Sequence, residues 1–112
     1  MQTQKTSPLN VVYNAIRSLH EDLVNVSFYP GDYEILIETF SKFYITHYYF
    51  WITDDGEICI EIVQDKAASR GNWITYRSKT VCMKLPALLS MIYNSGFLSE
   101  FLARIRKLAW GK

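Results

Sequence analysis

Residues 48–62 read Tyr-Tyr-Phe-Trp-Ile-Thr-Asp-Asp-Gly-Glu-Ile-Cys-Ile-Glu-Ile, and this stretch decides the fold. Asp54-Asp55-Gly56 is a tight hairpin signal, because so short a turn needs a positive backbone angle that glycine adopts at no steric cost. Beyond it, Ile58, Ile60 and Ile62 alternate with Glu57, Cys59 and Glu61, the two-residue period of a half-buried strand. Before it, residues 43–52 are dense in aromatic and β-branched side chains, which suit a pleated surface. The hairpin register then decides which rings face the core. A two-residue turn at Asp55-Gly56 sets Trp51 opposite Ile60 and Tyr49 opposite Ile62, with Tyr44, Tyr48 and Phe50 on the outer face; this is the register expected. A three-residue loop with a glycine bulge sets Phe50 opposite Ile60 and reverses the faces. In both cases an aromatic cluster is left on the less buried side.

Working outward, residues 33–40 alternate as well, with Tyr33, Ile35 and Ile37 on one face and Glu34, Leu36 and Glu38 on the other. Ser7-Pro8 opens an N-terminal helix with a capping hydroxyl and a proline in the first turn. Leu9, Val12, Ile16, Leu19 and Leu23 give it an apolar stripe, and the cluster Tyr29-Pro30-Gly31-Asp32 lies past its end. Residues 66–72 read as a flexible basic loop, and residues 73–76 and 80–85 as one long bent strand or two short ones. Pro86 opens the closing helical region, Asn94-Ser95-Gly96 breaks it, and Phe97, Leu98, Phe101, Leu102, Ile105 and Leu108 form its stripe. The expected architecture is α+β: an N-terminal helix, an antiparallel sheet of four to five strands, and C-terminal helices packed on one sheet face. Residues 1–112 are expected to form a single globular domain.

Composition excludes several classes. At 49% apolar and 15% aromatic residues the chain has what a packed core requires, and disorder is excluded. The polar start MQTQKTS lacks a secretory pattern and no apolar run reaches membrane-spanning length, so a soluble, cytoplasmic protein without a membrane role is expected. Cys59 and Cys82 lack a metal-ligand spacing and read as two reduced, partly buried thiols; a disulfide requires that their strands place them face to face. No metal and no other cofactor is expected.

Charge is sharply divided. Residues 21–65 carry ten acids against Lys42, a balance of −9, whereas residues 66–112 carry nine bases against Glu100, a balance of +8; with +2 from residues 1–20 the sum is the formal +1. A chain so polarised either neutralises itself across neighbouring strands or shows a basic surface to an anionic partner. Catalysis finds little support, and the protein is read as a non-enzyme. His20-Glu21-Asp22 is a solvated helix end whose consecutive side chains diverge, and His47 is a hydrogen-bonded core or interface histidine. The strand pairs Glu34/Glu38 and Glu57/Glu61 have the spacing of a cation cluster, but edge solubility or pairing with Lys79 and Lys84 is the simpler reading.

Lys66, Arg70, Trp73, Tyr76, Arg77, Lys79 and Lys84 form the candidate site. Cations that meet phosphates interleave with rings on which unpaired bases stack. Arg104, Arg106, Lys107 and Lys112 would widen the patch. The element order from YYFWITDDGEICIEIV (48–63) through SRGNWITYRSKT (69–80) to VCMKL (81–85) and PALLSMIYNSGFLSEFLARI (86–105) resembles the unit of four antiparallel strands and a helix in the Pur and whirly families of single-strand DNA-binding proteins. The resemblance covers residues 33–108 and implies a curved sheet, a homodimer, and aromatic and basic side chains against single-stranded DNA or RNA. Here a helix precedes the strands, and no family residue carries over position by position. The alternative partner is a protein: a viral or phage inhibitor, a chaperone or an assembly factor acting through complementary acidic and basic faces.

Overall fold

The computed structural model describes residues 8–31 and 34–111. Helix α1 (Pro8–Arg17) precedes five strands, β1 (Val26–Pro30), β2 (Glu34–Phe40), β3 (Tyr44–Ile52), β4 (Glu57–Ala67) and β5 (Trp73–Lys84). Helices α2 (Leu85–Tyr93) and α3 (Leu98–Trp110) close the chain. The strands pair antiparallel in chain order, β1-β2-β3-β4-β5, so the sheet is a meander with β1 and β5 at its edges. All three helices lie on one face, α1 over β2 and β3, α2 over β4 and β5, and α3 against β5. The α+β expectation holds. Ser7, Asp32 and Tyr33 lie outside the described residues, so the helix cap and the first strand residue named above have no counterpart here.

The core is a single cluster between helices and sheet. Leu9, Val12 and Ile16 of α1, Leu88 and Ile92 of α2, and Phe101, Leu102 and Ile105 of α3 meet Ile35, Ile37, Tyr48, Phe50, Ile58, Ile60 and Ile62. The Phe50 and Phe101 rings stack with centroids 6.4 Å apart.

The central hairpin takes the other register. Phe50 pairs with Ile60, Trp51 with Cys59 and Ile52 with Ile58, so Tyr48 and Phe50 are buried while Tyr49 and Trp51 face outward. Asp54-Asp55-Gly56 is a three-residue loop, closed by Gly56 N–H on the Thr53 carbonyl at 3.0 Å, with Gly56 at φ +89°. The Thr53 side chain selects it: its hydroxyl donates to Asp55 and accepts the Glu57 N–H at 3.1 Å, bonds that a two-residue turn would not align.

Three further readings are corrected. α1 ends at Arg17, so Leu19 and Leu23 pack against the core from the following segment. Residues 26–30 form β1, with Pro30 at the end of an edge strand, where its missing N–H costs no ladder bond. Cys59 and Cys82 stand directly opposite on β4 and β5, with Cα atoms 4.0 Å apart, and are joined in a disulfide rather than left as thiols. Cysteine usage therefore no longer argues for a reducing compartment. Among the described residues no helix is long and apolar enough to cross a membrane.

Candidate nucleic-acid interface

The candidate residues gather on β5 and its approach. β4 runs to Ala67, a short 3₁₀ turn covers Ser69–Gly71, and β5 follows as one strand with a bulge opposite Gln64 and Asp65. What reads as a flexible loop in the sequence is thus largely strand and turn. Every residue from 69 to 80 is exposed. Arg70 sits at the turn in a left-handed conformation, φ 61°, ψ 35°, a region disfavoured for any residue with a Cβ.

Arg77 is the most firmly held cation. Its Nε donates to Gln64 Oε1 at 2.6 Å, and the Gln64 amide donates in turn to Thr46 Oγ1 at 3.3 Å. Its guanidinium lies 3.8 Å from the Trp110 ring centroid, so α3 and the sheet fix it together. Tyr76, at the bulge, packs against Tyr44 with centroids 5.8 Å apart and has Lys66 Nζ 5.6 Å and Arg77 Cζ 5.7 Å from its ring. Lys79 pairs with Ile62 and therefore stands on the helix side of the sheet. Lys84 pairs with Glu57 on the other side, at the far end of β5. Among the described residues none of Lys66, Arg70, Arg77, Lys79 and Lys84 has a carboxylate within 4 Å; the ion pairs of arginines are Arg17–Glu21 and Arg104–Glu100, and the His47 ring is hydrogen-bonded to Glu38 and Asp65. Of the two lysines expected to pair with strand glutamates, Lys84 stands directly across from Glu57 without an ion pair within 4 Å, whereas Lys79 stands opposite Ile62.

The register separates the two rings singled out in the sequence. Trp73 shares the uncovered face with Thr75, whose hydroxyl donates to Asp65, whereas Tyr76 lies with Tyr44 on the helix side. Phe43, read in the sequence only as the start of the aromatic strand and not as a site residue, joins Trp73 instead. Ala67 N–H bonds the Phe43 carbonyl at 3.0 Å and Ala67 pairs with Trp73, so the two rings lie on one row, two strands apart, with only a methyl group between them. Both are exposed, Phe43 at 58% and Trp73 at 41%. Lys42 has its Nζ 5.4 Å from the Phe43 ring, and Arg70 lies in the nearby turn, whereas Lys66 stands with Tyr44 on the helix side.

The C-terminal cations contribute less than the sequence implies. Arg104 is paired with Glu100 at 3.1 Å, and Arg106 donates to the buried Tyr48 hydroxyl at 2.7 Å. Burial pushes that phenol up while Arg106 pulls it partly back. Lys107 lines a groove between α2 and α3. Lys112 lies outside the described residues.

The uncovered face carries the acids. Glu34 pairs with Trp51, Glu61 with Tyr49, and His47 bridges Glu38 Oε2 at 2.7 Å and Asp65 Oδ2 at 3.0 Å. Desolvation raises the Tyr49 hydroxyl above its ordinary range, and the carboxylates of Glu38, Glu61, Asp65 and Glu34 raise it further. His20 and Asp22 do other work. His20 forms a bridge with Phe97, and Asp22 accepts the Ser99 backbone N–H at 3.0 Å and the Ser99 hydroxyl, capping α3. Among the described residues no group of three or more His, Cys, Asp or Glu side chains is arranged to hold a metal ion. Compared with protein family models, with curated proteins and with solved structures, the chain matches none.

Proposed function

We propose that the protein binds single-stranded nucleic acid at the basic end and edge of its sheet. The observation that carries this is the set of exposed cations Lys66, Arg70, Arg77 and Lys79 on β5 and its approach, none in an ion pair with a described carboxylate, with Arg77 held by Gln64 and Trp110. A cation already fixed loses little side-chain entropy on meeting a phosphate. Phe43 and Trp73 supply exposed ring faces on one row, and base stacking on such rings requires an unpaired strand. In this reading Lys66, Arg70, Arg77 and Lys79 meet phosphates, Trp73 and Phe43 contact bases, and Tyr76 orients Lys66 and Arg77. Lys84, at the opposite end, stands apart.

Fluorescence anisotropy with labelled single-stranded DNA, single-stranded RNA and duplex DNA tests it. Each phosphate contact on a single strand contributes roughly 0.7 to the salt slope, so R70A/R77A/K79A lowers that slope by about 2. The affinity lost between about 50 and 200 mM salt then shrinks by roughly 20-fold. Binding with an unchanged slope, or no binding at the lower salt, refutes the assignment.

A further inference from the structure

A groove on the helix side of the molecule shares no residue with the proposed phosphate and base contacts. α2 and α3 form its walls, and β5 its floor at one end. α2 presents Ala87, Ser90, Met91 and Asn94 to it, a stripe at positions i, i+3, i+4 and i+7. α3 answers with Arg104, Lys107, Leu108 and Gly111, at the same spacing. These stripes are separate from the ones that fill the core, Leu88 and Ile92 on α2 and Phe101, Leu102 and Ile105 on α3. Leu108, which the sequence places in the apolar stripe of α3, is 53% exposed and stands in the groove instead. The groove consists of two hollows, about 620 and 510 Å³, that share Ala87, Met91 and Leu108. The smaller one reaches β5 at Val81 and Met83 and has no charged residue in its lining. The larger one carries Arg104 and Lys107, and among the described residues no carboxylate lines either hollow. Arg104 is held by Glu100, whereas Lys107 has no described carboxylate within 4 Å.

We infer that this groove docks an acidic amphipathic helix of another protein. From Ala87 to Asn94 the α2 wall is about 10 Å long at about 1.5 Å per residue, so it takes two turns of a guest helix. Apolar side chains at i, i+3 or i+4 and i+7 of the guest enter between the walls and meet Met83, Met91 and Leu108. Methionine side chains adapt to guests of differing shape. Acidic side chains of the guest lie at the end away from β5, beside Lys107 and Arg104. Other occupants fit less well. Ala87, Ser90, Asn94, Lys107 and Leu108 are all exposed, so the groove is open and a small ligand would stay half in water, whereas a helix spans both walls. A second copy docked groove to groove would bring the cations of both together with no lining acid to offset them. A nucleic acid would meet an apolar floor. This inference does not rest on nucleic-acid binding.

Phage display of helical peptides randomised on one face, selected against the folded chain, tests it. The expected ligands share apolar residues at i, i+3 or i+4 and i+7, carry Asp or Glu towards one end, and shift the Met83 and Met91 methyl resonances. L108E should weaken their binding by at least about 10-fold, as loss of a central apolar anchor does. K107A should weaken it by about 2- to 5-fold, the range of an exposed ion pair, and that difference should vanish at high salt. Leu108 and Lys107 are both exposed, so the variants keep the fold, which circular dichroism checks. A selection that yields no ligand, or ligands without acids, overturns the inference. Peptides that bind L108E as tightly as wild type overturn it too, because they then sit elsewhere. L108E leaves every proposed phosphate contact in place, so its oligonucleotide binding should equal that of wild type, and failure of the peptide selection leaves the phosphate-contact test standing.

Discussion

Reducing the Cys59–Cys82 bridge should weaken the fold by an amount set by chain length. The bridge closes a loop with a sequence separation of 23. Loop closure in the unfolded chain then contributes −2.1 − 1.5R ln 23, about −11.4 cal/mol/K, or about 3.4 kcal/mol at 25 °C. The native ladder needs no bridge to align it, because β4 and β5 already pair from Glu57↔Lys84 to Ala67↔Trp73. The loss therefore falls on the unfolded state, and C59A/C82A should refold to the same sheet. In urea, at a slope of about 1.5 kcal/mol/M for a domain of this size, the midpoint should drop by about 2 M. The assay is circular dichroism through a urea series with and without reductant, beside a count of thiols alkylated in the unfolded protein. No label without reductant and two labels with it are expected. A reduced protein within about 1 kcal/mol of the oxidised one would show that the unfolded chain is not constrained as this estimate requires.

Asp22 and Arg70 give two more tests. The Asp22 carboxyl is held below its ordinary value first by the Ser99 hydroxyl and then by the Ser99 N–H. A depressed carboxylate contributes stability that is complete above its unfolded pKa and is lost as pH falls through the folded one. Wild type should thus exceed D22N at neutral pH and converge with it below about pH 4; a gap that persists to acid pH refutes the charge argument. At Arg70 the left-handed backbone costs about 1 kcal/mol or more, part of which glycine returns as unfolded-state entropy. R70G should therefore gain about 0.5 kcal/mol in thermal unfolding while binding oligonucleotide less tightly. A less stable R70G would mean that the turn depends on the arginine side chain.

The α+β architecture was legible because strand and helix periods differ, and nearly every apolar stripe points at one core. The hairpin register was not. Both faces of residues 43–52 are aromatic, so alternation alone could not say whether Tyr48 or Tyr49 turned inward; the Thr53 hydroxyl, bonded to Asp55 and Glu57, decides it. β1 was hidden because Pro30-Gly31 reads as a turn, and a proline is tolerated there only because the strand is an edge. In the candidate site the cations were legible as a run of charge, but their company was not. Trp110 reaches Arg77 from 33 residues away. Phe43 meets the Trp73 row only once β3, β4 and β5 lie side by side, and the bulge opposite Gln64 and Asp65 sends Tyr76 to the other face. Such encounters belong to the register, which no local window contains.

The cap on α3 has a consequence for the order in which the molecule can be assembled. Leu98 N–H finds its acceptor on the His20 carbonyl at 2.9 Å, and Ser99 N–H finds its acceptor on Asp22, 77 residues away in sequence. The first turn of the last helix is therefore completed by the segment that follows the first. Closing so long a loop is slow, and contacts of this separation are made late on the folding path. On a chain emerging N-terminus first, α1 and the meander can be in place before residues 98–110 are synthesised, yet the final helix still lacks its start until it returns to residues 20–22. Fraying of α3 and release of the chain's N-terminal segment are thus one event, and hydrogen exchange at Leu98 and Ser99 reports on both ends of the protein at once.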